Sequence, residues 1–192
     1  MYGPDNCEGA AWHGTEIKVT DLEMKKELPD GEYGILWARG IGSADGFYKA
    51  PELEERLITS DGWVTSEDCG YIDPKTKRFT FVDRGKDMVR SGVENVPTTP
   101  VEETVKKHPK VANCGVIGTP HERLGETVTA IVELKPGEAL TAEELMEWCK
   151  DKLPGPYRPR RVEFVPEVPV VGFKRLVDKK LLRATYGEKY KI

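Results

Sequence analysis

Gly70-Tyr71-Ile72-Asp73-Pro74-Lys75-Thr76-Lys77-Arg78-Phe79-Thr80-Phe81-Val82-Asp83-Arg84, residues 70–84, is the clearest hairpin signal in the chain. Two strand-like runs flank the turn-rich segment Pro74-Lys75-Thr76-Lys77. Side chains alternate faces along a strand, so Phe79 and Phe81 share one face while Arg78, Thr80 and Val82 take the other. Two aromatics on one face imply a small core beneath the hairpin. Upstream, Thr15-Glu16-Ile17-Lys18-Val19-Thr20 alternates with period two, as a half-buried strand does. Pro29-Asp30-Gly31 turns the chain, and Tyr33 to Ala38 resumes an apolar strand-like run. Pro51 to Arg56 fits a short helix with proline in its first turn.

Beyond Arg84 the pattern changes from all-β to mixed. Pro100 to His108 reads as a helix, with Thr99 as N-cap and Glu102 three residues after it. Val111 to Ile117 and Thr127 to Leu134 read as strands. Thr141-Ala142-Glu143-Glu144 opens a capping box before a helix to about Leu153. Arg161 to Val165 is a short strand, and Asp178 caps a last helix to about Thr185. The expected fold class is therefore α+β: a small β-rich subdomain, residues 1–84, followed by a mixed α+β C-terminal domain, residues 85–192.

Composition narrows the function classes. With 38% hydrophobic and 32% charged residues, the 192-residue chain suits a globular protein. No run approaches the roughly 18 apolar residues that span a bilayer. The opening MYGPDNCEGA has neither the basic nor the apolar region of a signal peptide, so a cytoplasmic location is expected. Cys7, Cys69, Cys114 and Cys149 form no CxxC pair, which points to reduced thiols and no metal site. Residues 151–192 hold eleven Lys/Arg against five Asp/Glu, a net of +6, so the remainder carries −10 of the overall −4. A basic tail suits a phosphorylated ligand or a solvated face. Few aromatics interleave with it, so nucleic acid is not an expected partner.

Four stretches in order resemble the AMP-forming acyl-CoA synthetases of the adenylate-forming superfamily. Gly31-Glu32-Tyr33-Gly34 through Gly40 and Gly46-Phe47-Tyr48 is similar to the family's GE…G…GYY stretch. Asp61-Gly62-Trp63, Asp68 and Gly70-Tyr71-Ile72-Asp73 resemble DGW…TGD-x-GYID. Asp83-Arg84-Gly85-Lys86-Asp87 with Ser91-Gly92-Val93-Glu94-Asn95-Val96 resembles DR-x-KD…SGGENV. His121-Glu122 to Gly125-Glu126, and the tail from Pro169 to Arg183, follow in family order. The resemblance covers about residues 14 to 186 and implies the C-terminal part of such an enzyme. In that family an acid and ATP give an acyl-adenylate and pyrophosphate, and rotation of the C-terminal domain then admits the CoA thiol.

The resemblance implies site residues. Asp68 accepts hydrogen bonds from the ribose hydroxyls, a role suited to a carboxylate. Arg84 also meets the ribose, and Lys86 sits at the hinge. Ser91, Gly92 and Glu94 lie in the loop lining the pantetheine tunnel, where Gly92 lets the backbone approach closely. The family's late lysine follows a glycine in PxTxxGK and neutralises charge as the adenylate forms. Here the stretch reads Pro169-Val170-Val171-Gly172-Phe173-Lys174-Arg175-Leu176, which makes Lys174 the choice and Arg175 the second, with a solvated cation the plain alternative.

Several positions depart from the family. Ser66-Glu67-Asp68 stands for TGD, Val93 for a second glycine and Pro100 for a glutamate. Tyr157-Arg158-Pro159-Arg160 is one residue short of YK-x-PR. Tyr2-Gly3-Pro4-Asp5-Asn6 faintly resembles YGxTE with Asn6 in place of the metal-binding glutamate. The family's phosphate loop does not occur in this sequence. The expectation is thus a truncated acid–thiol ligase whose activity as an enzyme is open, or else a non-catalytic stand-alone binding or interaction module. ATP/AMP, CoA and Mg²⁺ are the implied cofactors, none held tightly by this chain alone. The implied partners are nucleotide and CoA-type small molecules and a large domain outside this chain.

Overall fold

The computed structural model describes residues 7–173 and 175–191. It is α+β, and the chain divides into two compact units, one ending at Lys86 and one beginning at Asp87.

The first unit is built on a six-stranded sheet ordered β1-β6-β5-β4-β2-β3. Its strands are β1 (Cys7–Ala10), β2 (Thr15–Thr20), β3 (Glu27–Leu28), β4 (Gly34–Gly40), β5 (Asp68–Ile72) and β6 (Arg78–Arg84). One helix, α1 (Pro51–Leu57), carries proline in its first turn as expected. The residue 70–84 hairpin is β5–β6, and Asp73 at its turn accepts the N–H groups of Lys75 and Thr76. Phe79 and Phe81 both pack with Val19, Ile72, Ile17, Leu28 and Leu36, the small core anticipated beneath the hairpin.

Two motif glycines have a packing reason. Gly34 and Gly70 are register partners across β4 and β5. A Cβ on Gly34 would lie 1.9 Å from the Thr20 carbonyl oxygen, and one on Gly70 would lie 2.0 Å from that of Thr80. Strands approach too closely there for any side chain.

The second unit wraps helices around a long hairpin, β9 (Val111–His121) and β10 (Gly125–Leu134). β11 (Arg161–Val165) pairs with β10 in parallel, and β7 (Val89–Ser91) joins it antiparallel before turning into β8 (Glu94–Val96). Alternation along β9 and β10 gives the pair two apolar faces. Val116, Val128, Ala130 and Val132 meet α2 (Thr98–Lys106) and α3 (Ala142–Lys150) in one core. Ile117 and Ile131 meet Leu182 of α4 (Lys179–Lys189) in the other. A two-stranded ladder, β12 (Val170–Val171) with β13 (Leu176–Val177), precedes α4.

The capping signals divide instructively. Thr141 and Glu144 form the expected reciprocal box at α3, and Asp178 accepts the Leu181 N–H at α4. At α2 the expectation fails: the N-cap is Pro97, with no side-chain cap. Glu102 instead turns inward, accepts the Val116 N–H at 2.9 Å and pairs with Lys179 at 3.0 Å. A buried cation and an unmatched strand N–H compete better for this carboxylate than a helix end does. No helix among the described residues is long and apolar enough to cross a membrane.

Candidate nucleotide and thiol sites

In the first unit the β5–β6 register sets Asp68 directly opposite Arg84. The Arg84 Nε lies 3.5 Å from Asp68 Oδ1, and Ser66 Oγ donates to Asp68 Oδ2 at 2.6 Å. Both charged heads remain within reach of solvent. The pair therefore offers a carboxylate acceptor beside a fixed cation at one end of the hairpin, a donor set that fits a sugar hydroxyl carrying an anionic group. Next to Asp68, Cys69 is fully buried, and burial pushes its thiol up to about 11. Burial likewise raises Cys114 and Cys149, so these three thiols stay protonated at neutral pH and are not nucleophiles.

Glu67, which stands where the resembled motif has glycine, adopts φ 63°, the left-handed region glycine favours. Its carboxylate pairs with Arg56 of α1 at 3.1 Å, and its carbonyl accepts the Gly85 N–H at 2.8 Å. The loop thus keeps a glycine conformation with a charged residue in it. A half-exposed ion pair is worth at most about 1 kcal/mol, while a non-glycine residue in this region costs about 1–2 kcal/mol. Glu67→Gly is therefore expected to leave the stability of the first unit within about 1 kcal/mol of wild type, since the relieved strain offsets the lost ion pair and the entropy glycine adds to the unfolded chain. Urea unfolding of the two proteins checks it, and a glycine variant destabilised by well over about 1 kcal/mol would contradict the strain reading.

Lys86 is exposed in the 3₁₀ turn Gly85–Asp87, at which the first unit ends.

Ser91, Gly92 and Glu94 lie together at the β7–β8 turn, with Gly92 at φ 66° and Val93 projecting into solvent. Ser91 and Glu94 line a cleft of about 500 Å³ in the second unit, together with Leu124, Gly155, Pro156, Arg158 and Arg160. The sequence motifs contain Arg158 and Arg160 but give them no role. The signal available along the chain is the basic excess of the tail, which does not say which cations share a cleft. Arg158 is held by donating its Nε–H to the Leu153 carbonyl at 2.9 Å. Two guanidinium-bearing residues beside a backbone turn and an apolar Leu124 fit an elongated ligand with phosphates at one end.

Lys174 lies outside the described residues, as does the segment Tyr2 to Asn6. Arg175, the second choice, is an exposed residue at φ 49° beyond β12, with its guanidinium 3.9 Å from Glu167. Among the described residues there is no cluster of three or more His, Cys, Asp or Glu side chains that could hold a metal ion.

Comparison with known proteins adds a family to this geometry. Residues 100–172 match the family model of the AMP-binding enzyme C-terminal domain. A putative acyl-CoA synthetase, YngI of Bacillus subtilis, is 30% identical over 177 residues, covering 92% of this chain and 32% of that protein. The 4-hydroxybutyrate–CoA ligase 2 of Metallosphaera sedula is 38% identical over 160 residues, 83% of this chain and 29% of that one. Among solved structures, ATP-bound MatB from Rhodopseudomonas palustris superposes with a TM-score of 0.86 at 32% identity, covering 97% of this chain and 37% of MatB. The chain thus spans about a third of the length of the proteins it matches.

Proposed function

We propose, for a chain that is homologous to the C-terminal part of AMP-forming acyl-CoA synthetases and carries their AMP-binding C-terminal domain, that it supplies the ribose contact and the thiol cleft of an acid–thiol ligase. The observation that carries this reading is the Asp68–Arg84 pair, set face to face by strand register and left open to solvent. Asp68 accepts from the ribose hydroxyls of ATP or AMP, and Arg84 fixes the carboxylate and meets the ribose. Lys86 is the hinge residue. Ser91, Gly92 and Glu94 hold the pantetheine arm of CoA, with Arg158 and Arg160 toward its phosphates. Lys174 supplies the cation for adenylate formation. When bound, ATP would supply the adenylyl group, with pyrophosphate leaving, and CoA the thiol that displaces AMP. The reading as a non-catalytic module is not favoured, since the relatives just described are named as a synthetase and a ligase.

Affinity follows from the few contacts present. One charge-assisted hydrogen bond contributes roughly 1.5–3 kcal/mol, and association costs at least about 4 kcal/mol. Two or three such bonds leave little surplus, so this chain is expected to bind AMP at about millimolar strength or weaker. Asp68→Ala is expected to abolish that binding, because it removes the acceptor without emptying a core. Ligand-observed NMR on both proteins decides it. Micromolar AMP binding that survives Asp68→Ala would place the nucleotide elsewhere.

A further inference from the structure

We propose that Glu126 is a positioning residue for the cleft of the second unit, fastening the β7–β8 hairpin, and with it Ser91 and Glu94, to β10. The function of the cleft rests on the CoA reading above; the fastening does not. The β7–β10 ladder is one pair long, Gly125 with Ser91. On one side of it the Gly92 N–H donates to the Leu124 carbonyl at 2.8 Å. On the other, Arg90 donates its backbone N–H to Glu126 Oε2 at 2.8 Å. A carboxylate thus takes up the N–H next to the point where the backbone ladder stops, and a bond to a charged acceptor is stronger than the neutral one it follows.

The geometry has a second requirement. A Cβ on Gly118 would lie 2.5 Å from Glu126 Oε2 and 2.7 Å from its Cδ. Gly118, opposite Val128 in the β9–β10 ladder, therefore leaves the space into which the Glu126 side chain folds. Glu126 itself does not line the cleft, but Ser91, Glu94 and Leu124, all at the junction it secures, do. Each member of the Gly125-Glu126 pair in the fourth motif thereby has a physical role, since the glycine makes the single ladder contact and the glutamate extends it.

The test uses the whole ¹⁵N-labelled chain and the variants Glu126→Ala, Glu126→Gln and Gly118→Ala. Glu126→Ala is expected to speed exchange of the Arg90 amide roughly tenfold or more, while the Ala130 and Val132 amides within β10 keep their rates. Glu126→Gln retains an acceptor oxygen and is expected to restore most of the protection. Gly118→Ala is expected to reproduce the alanine phenotype with Glu126 intact. On titration with CoA, shifts at the Ser91 and Glu94 amides are expected in wild type and Glu126→Gln and diminished in Glu126→Ala. Unchanged Arg90 exchange in Glu126→Ala, or a loss that glutamine fails to rescue, overturns the proposal. If wild-type Ser91 and Glu94 ignore CoA, the CoA reading falls, and the exchange rates alone judge the positioning role.

Discussion

Replacing Lys179 with methionine is expected to destabilise the second unit by about 3–5 kcal/mol, because it strands a buried carboxylate. The Lys179 and Glu102 side chains are only 13% and 11% exposed, and their charged atoms lie 3.0 Å apart. Lys179 also donates to Thr98 Oγ1 at 2.5 Å, so the substitution removes a donor from a second buried group. Methionine matches the lysine stem in volume, which confines the change to the lost charge and hydrogen bonds. Glu102 would keep the Val116 N–H, a dipole that does not neutralise it. Adding Glu102→Gln is expected to recover most of the loss, since a neutral amide still accepts from Val116 and no buried charge remains. Urea unfolding followed at the Val101 and Val105 methyls, both in the core beside this pair, measures the cycle. A Lys179→Met protein within about 1 kcal/mol of wild type would mean that water reaches Glu102 and the pair is effectively a surface one.

That pair marks the limit of what sequence patterns disclose. The residue 70–84 hairpin, β2, the α3 capping box and the Asp178 cap are legible because each rests on contacts within a few residues, and local patterns encode local bonds. The same local logic makes Glu102 a helix-end residue. Its partners are Val116 and Lys179, fourteen and seventy-seven positions away, and no pattern along the chain announces a bond formed only after the helices pack. The Asp68–Arg84 pairing is only half legible. The turn sets the register from Ile72–Phe79 to Gly70–Phe81, but carried further it would put Asp68 opposite Asp83. A one-residue irregularity between Cys69 and Gly70 brings Arg84 there instead. The cleft can be half read. Ser91 and Glu94 share a turn, but Arg158 and Arg160 reach them from a segment more than sixty residues on. The family resemblance gives roles to the local motifs and none to those two arginines.

Gly70→Ala is expected to cost the first unit about 3 kcal/mol, the upper end of what overpacking usually does, and to loosen the Asp68–Arg84 pair along with it. The added Cβ would stand 2.0 Å from the Thr80 carbonyl oxygen and 2.7 Å from a Phe79 ring atom. Neither can give way cheaply. Thr80 belongs to the β5–β6 ladder, where Gly70 meets Phe81 and Tyr71 meets Thr80. Phe79 is 4% exposed and packed with Val19 and Ile72, so turning its ring opens the small core. The relief available is to part the strands, which moves Asp68 away from Arg84 two positions along the same ladder. Gly42→Ala is the control. Nothing lies within 4 Å of a Cβ there and its φ is not positive, so it is expected to be neutral or slightly stabilising. Thermal unfolding of both variants, with exchange of the Tyr71 and Phe81 amides, separates the cases. A Gly70→Ala protein that melts with wild type and keeps those amides protected would show that β5 and β6 are farther apart than this ladder allows.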